Sequence, residues 1–102
     1  MDKVLLAACA AKLEKLFLQY EKVDSEVRDL HETLSPLIVD GQNGNVTQPM
    51  EWGDVPGAYY FSEGDLRKYR DLESAYAEFK IELTGGESPV LRDIRLSAST
   101  KR

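Results

Sequence analysis

One histidine and one cysteine bound the chemistry open to this chain. His31 follows Leu30 on a helical pattern and lies between Arg28 and Glu32, a setting that suits a solvated or partly buried imidazole better than a catalytic base. Cys9 falls among alanines and leucines, where a thiol behaves as a small, unactivated hydrophobe. A Cys–His nucleophilic pair would need the two to meet, yet on one continuous helix they stand about 33 Å apart. Neither residue belongs to a cluster with metal-ligand spacing, so neither a metal nor a cofactor is expected.

Carboxylates are plentiful, and Asp40, Glu51, Asp54 and Glu63 fall in or beside one turn-rich segment. Their spacing fixes no acid/base geometry and matches no calcium loop. Gly41 and Gly44, like Gly85 and Gly86, lack the strand-to-helix frame and the Lys-Ser/Thr of a phosphate cradle. Asn45-Val46-Thr47 fits a glycosylation acceptor, but no secretory leader accompanies it: the apolar stretch from Val4 to Ala11 is broken by Lys12 and Glu14 and continues as an amphipathic pattern. The expected protein is therefore not an enzyme.

Composition points the same way. At 102 residues, with 42% hydrophobic and 30% charged side chains, the chain reads as a single globular domain. A lone cysteine permits no internal disulfide, and no stretch approaches the ~20 apolar residues of a membrane span, so a cytoplasmic protein without membrane contact is expected. The net charge of -5 is uneven: residues 36–65 carry five carboxylates and no base, whereas residues 66–102 carry eight bases and six acids. Such an acidic segment repels phosphate backbones and attracts basic surfaces, which argues against a nucleic-acid ligand.

The elements that must carry these residues are helical. Leu6, Cys9, Leu13, Leu16, Tyr20, Val23, Val27, Leu30, Leu34 and Leu37 recur at alternating spacings of three and four, a heptad seam of the coiled-coil kind. Pro36 restricts Ser35 and lacks an N–H, so the spacing predicts one long helix over residues 3–34. Residues 35–61 are rich in glycine and proline and predict a long loop, in which Leu37 to Val39 pairing with Asn45 to Gln48 would make a short hairpin. Ser62 to Asp65 reads as a capping box opening a second helix over 62–84, with Leu66, Tyr69, Leu72, Ala75, Tyr76, Phe79 and Leu83 on its apolar face and Thr84-Gly85-Gly86 at its end. A short helix or strand over 89–96 would complete the chain.

These elements predict an all-α fold: an antiparallel hairpin of two long helices with a long irregular connection and a short third element. The first helix outruns the second and leaves seam uncovered, while Val4, Leu5, Leu13, Phe17 and Leu18 spread apolar surface over several sides. A homodimer through those five residues would cover them. The loop concentrates Trp52, Tyr59 and Tyr60 among Asp40, Glu51 and Asp54, the composition of a surface that binds a protein with a basic or mixed face. The leading expectation is a non-catalytic module that sequesters or escorts another protein, in the manner of an antitoxin, immunity protein or chaperone. Two alternatives are a self-assembling helical subunit and an acidic mimic that occupies a nucleic-acid-binding protein.

Overall fold

The apolar seam breaks at residues 21–24, and the cause is a side chain that competes with the helix for backbone donors. Asp24 sits in extended backbone (φ -145, ψ 111), and its carboxylate accepts a hydrogen bond from the Glu26 N–H at 3.0 Å, the geometry of an N-cap. In the computed structural model, which describes residues 3–85, the predicted long helix is therefore two: α1 (Lys3–Tyr20) and α2 (Ser25–Gln42). Val23, expected in the seam, points into solvent at 79% exposure. The heptad reading captured which side chains are apolar but not the local cap that turns the chain.

Pro36 does not end α2, which continues to Gln42. Proline removes one donor, but Pro36 and Glu32, whose carbonyl loses that donor, are both exposed and within reach of water. The expected hairpin is absent because its first arm is helical, and no strand occurs among the described residues. After an irregular segment with a 3-10 turn at Trp52–Asp54 come α3 (Ala58–Ser62), a second 3-10 turn at Leu66–Lys68, and α4 (Arg70–Leu83). The Ser62–Asp65 capping box does not form. Ser62 closes α3 by donating to the Ala58 carbonyl at 3.2 Å, and the Asp65 N–H donates to Glu26 Oε1 at 3.0 Å. The short element expected over 89–96 lies outside the described residues.

Among the described residues, which are mostly helical, four packed helices thus replace the simple two-helix hairpin. Helix α1 is flanked by α2 and α4, and both run antiparallel to it. At one end Gly41 of α2 approaches Leu6 and Ala10 so closely that an added Cβ would sit 3.5 Å from each; at the other, the Tyr20 hydroxyl donates to the Asp71 carboxylate at 2.9 Å. Leu6, Ala10, Leu13, Phe17, Val27, Leu30, Leu34, Ile38, Leu66, Leu72, Phe79 and Leu83 are among the fully buried core residues.

This packing corrects the coiled-coil reading and takes two of the five residues out of the expected dimer interface. Leu13 and Phe17, placed in a dimer interface, are completely buried in the protein's own core, while Val4, Leu5 and Leu18 remain on its surface. The seam that lacked cover is covered by α2 and α4. His31, whose Nδ1 donates to the Glu21 carboxylate at 2.6 Å, stacks its ring on Phe17 at 5.0 Å and closes this end of the core.

Two measurements check this packing. Phe17→Ala should lower unfolding free energy in urea by about 3–5 kcal/mol, whereas Leu18→Ala should change it by less than about 1 kcal/mol. A larger loss at Leu18 than at Phe17 would contradict the assignment of core and surface. Asp24 gives a pH signature. Burial opposes its ionisation, but hydrogen bonds from the Tyr69 hydroxyl and the Glu26 and Val27 N–H groups, with the Lys68 ammonium nearby, prevail and hold the carboxyl below its usual range. A depressed folded-state pKa contributes stability that is complete above the unfolded value and is lost as pH falls through the folded one. Urea midpoints should therefore drop as pH falls below about 4, and Asp24→Ala should shrink that drop; an identical acid profile in the variant would refute the role of Asp24.

Candidate functional site

Helix α4 is covered on one side by α1, and its adjoining side faces the irregular segment. The junction depends on Gly57, which adopts φ +107, a left-handed conformation, ahead of α3. A Cβ there would meet Leu30 Cδ1 at 2.7 Å and Tyr76 Cε1 at 3.1 Å, so glycine is required both by conformation and by space. Its neighbour Pro56 accepts a hydrogen bond from the Tyr76 hydroxyl at 2.8 Å, and burial pushes that hydroxyl's pKa up to about 12, which keeps it a donor. Phe61 of α3 stacks on the Tyr76 ring at 4.9 Å, and the Met50 N–H donates to the Leu83 carbonyl at 2.8 Å. These contacts hold residues 50–62 against α4.

Between them lies an open groove of about 560 Å³. Trp52, Phe61 and Tyr76 supply aromatic walls, with Ala58 and Ala77 between them. Arg67, Glu73, Ser62 and Ser74 add polar groups, and Lys80 reaches in from the last turn of α4. Lys80 is only 7% exposed. Its ammonium stands 4.4 Å from the centroid of the Trp52 ring and 6.0 Å from that of Tyr76, a cation against two aromatic faces. Burial lowers its pKa. Among the described residues neither Lys80 nor Arg67 forms an ion pair, and no side-chain hydrogen bond engages the Lys80 ammonium.

The residues singled out in the sequence are not gathered at one place. Trp52 lines the groove, with Glu51 and Asp54 exposed on either side of it in the chain. Tyr59 lies 67% exposed on the outside of α3, and half-buried Tyr60 meets its ring edge-on at 5.9 Å. Asp40 belongs to the exposed C-terminal part of α2 and does not line the groove. Sequence reasoning missed Lys80, Tyr76 and Phe61 as site residues. A usable signal was present: Lys80 lies four residues after Tyr76 and next to Phe79, a cation set within an apolar helical stripe.

Other candidate chemistry is spread out. Cys9 is buried in the core, and desolvation, with Glu78 and Glu82 nearby, raises its pKa, which leaves the thiol protonated and inert. Among the described residues no helix is long and apolar enough to cross a membrane. Comparison with models of protein families, with characterised proteins and with solved structures finds no match to this chain. Function must therefore be argued from the groove itself.

Proposed function

We propose that the protein is a binding module that captures a short segment of another polypeptide in the groove between residues 52–62 and α4. The single observation that carries this reading is the groove's lining: three aromatic side chains, two cations without ion-pair partners among the described residues and a volume near 560 Å³, open to solvent. Binding sites combine apolar walls with a few polar groups that fix orientation, and volumes of about 300–1,000 Å³ are typical of them. Trp, Tyr and Arg are also the residues that most often dominate the energetics of protein interfaces.

The exposed carboxylates of Glu51 and Asp54, which flank Trp52 in the chain, would meet basic groups on the partner. A partner of mixed surface charge therefore suits both the groove and its rim. Binding here needs no large rearrangement of the helices, because the groove is already formed by packed side chains.

Trp52 is the sole tryptophan, so its emission reports on the groove directly. Titration with members of an arrayed decapeptide library should give saturable changes in Trp52 emission, with dissociation constants of about 1–100 μM for the best peptides. By calorimetry Trp52→Ala should weaken those peptides at least tenfold. Binders that Trp52→Ala leaves unaffected, or amide shifts that map to the outer surfaces of α1 and α2, would contradict the reading.

A further inference from the structure

We infer that the groove takes the C-terminal end of the partner chain, with the terminal carboxylate against the Lys80 ammonium and the last apolar side chain among Trp52, Phe61 and Tyr76. This deepens the proposed function and rests on the groove being a peptide site.

Charge supplies the first argument. Lys80 is only 7% exposed, and its ammonium, though it keeps contact with solvent, is partly desolvated and gains from a nearby anion. Aromatic faces at 4.4 and 6.0 Å offer Lys80 partial electrostatic compensation but no acceptor lone pair. Glu73 lines the same groove without forming an ion pair with Lys80, and Arg67 is also without an ion pair among the described residues. The groove thus carries two cations and one anion in a protein whose net charge is -5, a local reversal of sign that selects for an anionic guest. A carboxylate entering the groove would replace solvent as the acceptor for the Lys80 ammonium.

Shape distinguishes a chain end from other carboxylates. In a terminal residue the carboxylate and the side chain share one carbon, so anion and apolar group are held a few bonds apart. The groove offers the same pairing: the Lys80 ammonium touches the Trp52 face, with Phe61 stacked on Tyr76 beside it. An acidic side chain within a continuous chain would place its carboxylate without an apolar group on the same carbon. Burial-lowered basicity of Lys80 adds a consequence. A bound carboxylate favours the ammonium form and raises its pKa again, so affinity should fall as pH rises through the lowered value of the free protein.

Three N-acetylated probes separate the possibilities: Gly-Ser-Gly-Phe with a free C-terminus, the same peptide as its C-terminal amide, and amidated Gly-Glu-Phe-Gly with an internal carboxylate. Titrated against the full chain and followed by Trp52 emission, the free acid should bind at least tenfold more tightly than either amide. Lys80→Met should abolish the preference for the acid without weakening the amide, and Lys80→Arg should keep part of it. Should Lys80→Met fail to fold by circular dichroism, the ¹³Cε resonance of Lys80 in the unaltered protein gives the same answer, since the acid and not the amide should raise its titration midpoint. Equal binding of acid and amide, both weakened by Trp52→Ala, would overturn the carboxylate inference and leave the groove reading intact. Equal binding of the internal-Glu peptide and the free acid would overturn the chain-end assignment alone. Free acid without any saturable effect would overturn the inference, while the peptide library decides the fate of the broader reading.

Discussion

The carboxylate of Asp24 is the interaction on which the rest of the structure depends. One of its oxygens accepts from the Glu26 N–H, which starts α2 afresh, and the other accepts from the Tyr69 hydroxyl at 2.9 Å, which anchors the entry to α4. A helix that ran on through residue 24 would leave the apolar faces of α1 and of residues 25–42 displayed along one rod, in need of another chain. Turned at residues 21–24, the same side chains face each other. The Tyr20 and Tyr69 rings, 4.3 Å apart, bring α4 to the same corner, so one capping residue organises α1, α2 and α4.

From that corner the groove follows. Because α4 packs on α1 and buries Leu72, Ala75, Phe79 and Leu83, the neighbouring stripe of Glu73, Tyr76, Ala77 and Lys80 is left to residues 50–62. Those residues cannot form a long helix, given Pro49, Gly53, Pro56 and Gly57, and they instead wrap across α4 through short turns. A wrapped irregular segment packs less completely against a helix than another helix does. The space that remains is the groove, with Lys80 against the Trp52 ring.

Much of the core was legible in the sequence, and the reason is periodicity. Leu6, Leu13, Val27, Leu30 and Leu34 were read as seam and are buried; Leu66, Leu72, Phe79 and Leu83 were read as the face of a second helix and are also buried. Continuity was not legible, because a heptad pattern survives a four-residue turn that happens to preserve its phase. The Asp24-Ser25-Glu26 start signal was present but was outweighed by the pattern on either side of it. Proline misled in the opposite sense, since its cost depends on whether the freed carbonyl can reach water, and that is a property of the folded surface. For the site, aromatic composition pointed to Trp52, whereas Lys80 became visible only when α3 and the Trp52 turn closed over α4. The acidic loop suggested a basic partner; the groove that the fold creates carries the opposite local sign.

The central claim is that the turn at residues 21–24 folds α1 back along α2 within one chain. Pulsed electron-electron resonance tests it directly, with spin labels at Ala8→Cys and Gln42→Cys in a Cys9→Ala background and the labelled protein diluted into unlabelled protein. Antiparallel packing of the two helices predicts an intramolecular distance under about 25 Å, the spacing of adjacent helices plus the label arms. A distance near 50 Å, the rise of one continuous helix over that interval, would contradict the account.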